Sequence, residues 1–410
     1  MIVHLVYILL SPILWLSVYI ASFFNKKIRL RMNSYEVLLK DSIIKAKQTN
    51  KEILVFHAAS NGELEQIKPI FRLIDRKKYF VMLTIASPSS YNHIPFNQLD
   101  TFSYQAFDFP WTVYNFFKKI KPHKYIITRH DIWPNHLFFS KWFCKGAYLI
   151  NANLPENSKR LFPVIKSFYK YIFSFFTCIY TVSESMKTKL TNIIDDDKIN
   201  VIGDTRLDQI EYRYENKKIK LSIFENSTNI LFGSIDEYDI KVIFESLKNR
   251  TYHSKLIFVP HEPSEKLILY IEKKLKELSL DSIRFSNMSN DVNQDNLDAV
   301  IIDKVGILAD AYQFSSISYI GCGFGKGVHN VMEPAIYGNL ICFGPNYQIL
   351  DEAIELVNQK LAMPIHNSNE LTDILDLISN QKILEQYKNN LKKFIGTKQN
   401  IAGKILRDIL

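Results

Sequence analysis

From residue 52 onward, short apolar runs alternate with stretches in which apolar residues recur every three or four positions. The runs at 52–58, 79–87, 125–129, 146–151, 178–183, 199–204, 229–234, 255–261, 299–303, 316–321 and 340–345 have the length and composition of buried strands. Amphipathic helical patterns separate most of them. A parallel strand pair needs a crossover long enough to hold a helix, so this alternation predicts an α/β chain with parallel, doubly wound sheets. The order breaks at 204–228, where DTRLDQIEYRYENKKIKLSIFENST is charged and poorly periodic. The pattern therefore predicts two Rossmann-like domains facing each other across a cleft, residues 26–205 and 229–410. A linker at 206–228 joins them, and the last helix is free to pack back on the first domain.

The beginning of the chain follows a different pattern. From Val3 to Phe24, VHLVYILLSPILWLSVYIASFF contains no charged residue except His4 when protonated, and its 22 residues match the roughly 20 that cross a bilayer. Lys26, Lys27, Arg29 and Arg31 follow at once, with no small-residue cleavage site before them. Residues 1–25 are therefore expected to be a retained membrane-anchoring helix and not a removed signal. The basic flank puts the working domains in the cytoplasm, against the anionic inner (cytoplasmic) membrane leaflet. Pro12 leaves both a spanning and an in-plane arrangement open, and spanning is favoured.

With 410 residues the chain is longer than one growing core supports, and 47% hydrophobic with 23% charged residues excludes a disordered protein. A formal charge of +9 admits nucleic acid, an anionic membrane or an anionic substrate. Lysines are scattered and no RNA-binding aromatic signature accompanies them, so no nucleic-acid partner is expected. Cys144, Cys178, Cys322 and Cys342 have no CxxC spacing and read as reduced core thiols. No zinc pattern is present.

Two stretches carry candidate chemistry. In HAASNGE (57–63), a buried strand ends in small polar residues and a single carboxylate, Glu63, just before the helical pattern Leu64, Ile67, Ile70, Phe71. A carboxylate at the carboxyl edge of a doubly wound sheet lies where ligands bind. The same residues also fit a capping box in which Ser60 caps the helix and Glu63 is its partner. In GCGFGKGVHNVMEPA (321–335), glycines at 321, 323, 325 and 327 follow a strand and allow close approach of backbone to a ligand. Asn330 is a good N-cap, Glu333 falls at N3 and Gly338 can end the helix, so a phosphate near Asn330 would meet free N–H groups. Lys326 and His329 add donors. The loop matches neither the dinucleotide fingerprint nor the Walker motif.

HAASNGE, DIWPN (131–135), VIGDTRLD (201–208), GFGKGVHNVMEPA (323–335) and FGPNYQ (343–348), in that order behind an apolar N-terminus, resemble the 3-deoxy-D-manno-octulosonic acid (Kdo) transferases of lipid A and lipopolysaccharide biosynthesis. The resemblance spans essentially the whole chain. It implies a GT-B glycosyltransferase that inverts the anomeric carbon, with CMP-Kdo as donor, a lipid A precursor as acceptor and inner-membrane lipid as surroundings. It also implies Glu63 as catalytic base and Asp131 as a second catalytic acid position, one methylene shorter than the family's glutamate. Arg206, Ser234, His261, Gly325, Lys326, Gly327, His329, Asn330 and Glu333 fall on the donor side, with Glu333 toward the ribose. Ser60, Asn61, Gly62 and Trp133 fall on the acceptor side. No cofactor or metal is expected, because CMP carries one phosphate that basic groups can neutralise. Asp195–Asp197 then mimics a metal-binding motif and reads as a solvated loop. Arg129 and Asn153 depart from the family pattern where it bears on the acceptor. A GT-B enzyme for another CMP- or nucleotide-activated sugar, a GT-B epimerase and a non-catalytic membrane-tethered binding protein are the alternatives.

Overall fold

The computed structural model describes residues 2–129, 131–153, 163–216, 224, 228–248, 254–288 and 297–410. Residues 217–223 and 225–227 of the expected linker lie outside the described residues. The chain divides into two compact units, Met1–Gln209 with Asn400–Leu410, and Ile210–Gln399.

The first unit holds strands β1 (Glu52–Ala58), β2 (Tyr79–Ile85), β3 (Thr101–Tyr104), β4 (Lys124–Thr128), β5 (Gly146–Ala152), β6 (Cys178–Thr181) and β7 (Ile199–Val201). They form one parallel sheet in the order β3-β2-β1-β4-β5-β6-β7. The second unit holds β8 (Ile230–Ile235), β9 (Leu256–Pro260), β10 (Ser282–Arg284), β11 (Ala299–Ile301), β12 (Ile317–Ile320), β13 (Leu340–Phe343) and β14 (Ala362–Pro364). These are also parallel, in the order β10-β11-β9-β8-β12-β13-β14. Each sheet reverses its winding once, between β1 and β4 and between β8 and β12. At such a switch point neighbouring loops part at the carboxyl edge and leave room for a ligand.

The central strands read as continuous apolar runs because helices cover both faces; β2 is buried at every position. Three strands were not legible in the sequence: β3, β10 and β14. Each is three or four residues long and lies at a sheet edge, where one neighbour suffices and no long apolar run is needed. The last helix, Ile401–Ile409, buries Ile401, Ala402, Ile405, Leu406 and Ile409 in the first unit's core. Asp208 accepts from the N–H groups of Ile401 and Ala402, at 3.1 and 2.6 Å.

Five helices of the first unit matter below: α1 (Ile2–Phe24), α2 (Lys26–Lys47), α3 (Asn61–Leu73), α4 (Pro110–Ile120) and α5 (Pro134–Phe143). Among the described helices, α1 is long and apolar enough to cross a membrane. Its buried residues are nevertheless the polar His4, Ser11 and Ser22. His4 Nε2 donates to Asn135 Oδ1 at 2.9 Å, and the Tyr7 hydroxyl donates to the Asp108 carbonyl at 3.3 Å. Asp108 in turn caps α5, its carboxylate accepting from the N–H groups of Asn135 and His136 at 3.1 Å each. Tyr7, Ile8, Val18 and Ala21 are half-buried, while Leu5, Leu9, Ile13, Leu16, Ile20 and Phe23 are exposed.

Candidate active site

At the first switch point, β1 delivers HAASNGE to the carboxyl edge beside the loop that follows β4. Ser60 is the N-cap of α3, and its Oγ accepts from the Glu63 N–H at 3.4 Å. Only this half of the capping box forms. The Glu63 carboxylate reaches instead to the N–H of Ala59. Ser60, Asn61 and Gly62 are exposed, and a Cβ on Gly62 would make only an ordinary contact with the Ser60 Oγ, at 4.0 Å. Glu63 is buried at 3% exposure.

Asp131, after β4, is the second carboxylate. Its Oδ2 accepts from His57 Nε2 at 2.8 Å, and His57, fully buried, turns Nδ1 toward the carbonyl and hydroxyl of Thr84, both at 3.1 Å. The two carboxyl groups are driven apart. Burial pushes Glu63 above the usual carboxylate range; the Ala59 N–H, His57 and Arg129 pull against this, while the charge of Asp131 adds to it. Burial would raise Asp131 too, but hydrogen bonds from His57 and Trp133 and the positive charges of His57 and Arg31 outweigh it and hold Asp131 low. The shifts are opposed, so Glu63 is the more basic of the two carboxyl groups and Asp131 the more acidic.

His57 and Arg31 are not among the site residues expected from the sequence. Arg31 donates from Nε and Nη2 to the Gln105 carbonyl, at 3.2 and 2.8 Å, and lies over the Phe107 ring. The signal for His57 was available: a histidine inside an otherwise apolar strand run, where burial demands partners. Arg129 occupies the left-handed region at φ 63° with its N–H bonded to the Ile150 carbonyl. Trp133, at the start of α5, is exposed.

The second switch point carries the glycine loop. Ser234, at φ 57°, shares a 2.8 Å hydrogen bond with His261 Nδ1 at the end of β9. The His261 and His329 rings stack at 5.1 Å. Burial, with His261 and Lys326 nearby, lowers the His329 pKa, so its imidazole is neutral near pH 7. Lys326 is exposed beside it. Close packing also requires the first two glycines of the loop. A Cβ on Gly321 would lie 2.4 Å from the Ser234 carbonyl oxygen, and one on Gly323 would lie 2.5 Å from the Gly344 nitrogen. They let backbone pack on backbone, which binds the loop to β8 and to FGPNYQ. Gly327 adopts φ 109°, and Asn346 Nδ2 donates to the Gly325 carbonyl at 3.0 Å. Asp239 anchors the loop from below, accepting from the Cys322 N–H at 2.6 Å and the Tyr319 hydroxyl at 2.7 Å.

The helix after the loop, Met332–Tyr337, is six residues long. Asn330 Oδ1 accepts from the N–H groups of Met332 and Glu333, at 3.0 and 3.4 Å, the capping contact expected of it. Gly338 ends the helix at φ 76°. Glu333 lies 3.9 Å from Arg213. Arg206 belongs to the first unit, where it pairs with Asp204 at 2.7 Å. Asp196 of the acidic run pairs with Lys187 and is well exposed.

Among the described residues, two groups bring possible metal-ligating atoms within 4.8 Å of one another: His261, Cys322 and His329, and Asp236, Asp239 and Cys322. Burial pushes the Cys322 thiol up to about 12, and its Sγ donates to the Ser234 carbonyl. The Asp239 oxygens are held by Tyr319, Cys322 and Asp236. An ion would have to displace those bonds.

The family model for 3-deoxy-D-manno-octulosonic-acid transferase (kdotransferase) matches residues 29–209. The chain is 25% identical to a 3-deoxy-D-manno-octulosonic acid transferase from Rickettsia bellii (strain RML369-C), covering 98% of this chain and 96% of the relative. It is 26% identical to the enzyme of that name from Chlamydia trachomatis serovar A, covering 84% and 82%. Among solved structures it is similar to UDP-GlcNAc 2-epimerase from Neisseria meningitidis (TM-score 0.61, 14% identity, 88% of this chain and 99% of that one). It is likewise similar to MurG from Acinetobacter baumannii (TM-score 0.56, 10% identity, 87% and 98%). At these identities the solved structures show the fold alone, which is of the GT-B class.

Proposed function

We infer the reaction from a premise: the chain belongs to the 3-deoxy-D-manno-octulosonic acid transferase family and is a glycosyltransferase that acts in Kdo transfer for lipopolysaccharide synthesis. The donor is CMP-Kdo and the acceptor a lipid A precursor of the lipid IVA type, at the cytoplasmic face of the inner membrane. Glu63 takes the proton of an acceptor hydroxyl as that oxygen forms a bond to the anomeric carbon of Kdo. The bond from that carbon to the CMP phosphate breaks on the opposite face, its electron pair leaves with CMP, and the configuration inverts. Asp131, fixed by His57, stays ionised and orients the acceptor beside Ser60, Asn61, Gly62 and Trp133. Lys326, His261, His329 and Ser234 meet the phosphate, Arg206 acts on the donor, and Glu333 bonds the ribose. Basic groups stabilise a leaving group with one phosphate without a metal.

The observation that carries this reading is the placement at the first switch point of two carboxyl groups, Glu63 buried on the Ala59 N–H and Asp131 held by the buried His57. Incubation with CMP-Kdo and a tetra-acylated lipid A precursor, followed by mass spectrometry of the lipid, should show Kdo added to it. An unmodified lipid alongside a rearranged nucleotide sugar would instead assign an epimerase.

A further inference from the structure

At the second switch point three side chains carry ligand chemistry that moving a sugar does not call for. His261 directly follows β9, Cys322 lies two residues after β12, and His329 lies past the last glycine of the loop. Each brings one ligating atom within 4.8 Å of the other two. The strand between β9 and β12 is β8, and its Ser234 touches two of the three. The Ser234 hydroxyl shares a 2.8 Å hydrogen bond with His261 Nδ1, and its carbonyl accepts from Cys322 Sγ at 3.2 Å. The two imidazoles are exposed and the thiol is buried.

Cys322 is not a core filler. It adopts φ 64°, a conformation that glycine takes freely and a side chain resists, in a loop with glycine at 321, 323, 325 and 327. A side chain kept where glycine would be relaxed points to a use for that side chain. Cys342 sits in the apolar core of the second unit, whereas Cys322 lies outside that core and feels the charges of Asp236, Asp239 and Lys326.

Thiolate and imidazole suit zinc, while magnesium and calcium take oxygen ligands. Zinc–nitrogen bonds of about 2.0–2.1 Å and a zinc–sulfur bond of about 2.3 Å place tetrahedral ligands roughly 3.3–3.6 Å apart. The three atoms must therefore close by at most about 1.5 Å, which rotation of two exposed imidazoles can supply. Binding moves one proton from Sγ to solvent and breaks one hydrogen bond, that of the thiol to Ser234. The group Asp236, Asp239 and Cys322 is the poorer choice. Asp239 accepts from the Asp236 and Cys322 N–H groups and the Tyr319 hydroxyl, and Asp236 from the N–H groups of Tyr238 and Asp239.

We propose that His261, Cys322 and His329 form a zinc-binding site in the second unit, with the fourth position of the ion open to solvent. The proposed reaction gives the same two imidazoles to the donor phosphate. Resting on that reading, a bound zinc ion withdraws them from the donor, so it is an inhibitor of the enzyme and not its cofactor.

The test titrates the full chain, free of any histidine tag, with cobalt(II) chloride in a thiol-free reducing buffer. One equivalent should produce a thiolate-to-cobalt charge-transfer band and the visible bands of tetrahedral cobalt. Zinc should abolish both, and a large excess of magnesium should abolish neither. Cys322→Gly removes the thiol at a φ that suits glycine, so it should fold as well as wild type, lack the charge-transfer band and bind zinc more weakly. The loss should be no less than the roughly 10–100-fold that removing an outer partner of a metal ligand costs. Cys322→Ser, which keeps a side chain of similar size, should lack the band as well, and His261→Gln and His329→Gln should each weaken zinc binding. No band in the wild type, a band that persists in both Cys322 variants, or displacement by magnesium would overturn the site. Zinc should slow wild-type transfer at concentrations that leave Cys322→Gly at its own zinc-free rate; equal inhibition of both would overturn the inhibitory role. The cobalt spectrum needs neither sugar nucleotide nor lipid, so failure of the site and failure of the transferase reading are distinguishable.

Discussion

Glu63→Gln separates a base from a helix cap. Glutamine keeps the size of the side chain, and its Oε1 can still accept from the Ala59 N–H that holds Glu63. Burial makes the charged form the costly one at this position, so a neutral amide loses little; stability should stay within about 1 kcal/mol of wild type, the scale of one net hydrogen bond. Transfer should collapse, because general bases contribute typically about 10²–10⁴-fold, or roughly 3–5 kcal/mol of barrier. The assay is turnover at saturating CMP-Kdo, paired with thermal unfolding. The pH dependence sharpens it. Glu63 must be deprotonated to act, and its carboxyl lies above the usual range, so the rising limb of activity with pH should lie there too. Asp131→Asn removes a like charge and should move that limb down, while His57→Gln removes a positive influence and should move it up. The stability sign agrees: a carboxyl raised in the folded state contributes stability present below its unfolded value and lost as pH rises through the folded one. The glutamine variant should therefore gain on wild type across that interval. A Glu63→Gln enzyme that transfers Kdo within about threefold of wild type would remove Glu63 as the base, since even a weak base contributes more.

Gly323→Ala puts a Cβ 2.5 Å from the Gly344 nitrogen and should cost about 1–3 kcal/mol by overpacking, with CMP affinity falling alongside Tm in calorimetry. Gly62→Ala adds a methyl that fits without a clash, 4.0 Å from the Ser60 Oγ, in the first turn of a helix and should raise stability by roughly 0.5–1 kcal/mol, while raising the KM for the lipid acceptor. Asp239→Asn turns an amide donor toward the Cys322 and Asp236 N–H groups and should cost about 1–3 kcal/mol in chemical denaturation, loosening CMP binding as the loop loses its anchor. Transfer should persist in excess EDTA; loss restored by magnesium would return the acidic groups near Cys322 to consideration as a metal site.

Hydrophobic patterning by itself determined the two doubly wound sheets, because a strand buried on both faces must be apolar along its whole length and a helix must be apolar along one stripe. It also located Glu63 at a strand end, and the glycine loop likewise. It could not reveal β3, β10 and β14, whose edge positions relax the demand for apolar residues. Nor could it separate the two carboxyl groups. Glu63 and Asp131 are 68 positions apart in the chain, and which of them keeps its proton depends on His57, Thr84, Arg31 and Arg129, brought around them by the crossing of β1, β2 and β4. The glycines show the same division. Their spacing says that a side chain is excluded, but only the fold shows that the excluding atoms are the backbone of Ser234 and Gly344. In α1, composition marks an apolar segment of membrane length, whereas its direction depends on His4 and Tyr7 finding Asn135 and Asp108. Hydrogen bonds between residues more than a hundred positions apart leave no periodic trace in a sequence, and they decide which way an apolar helix can face.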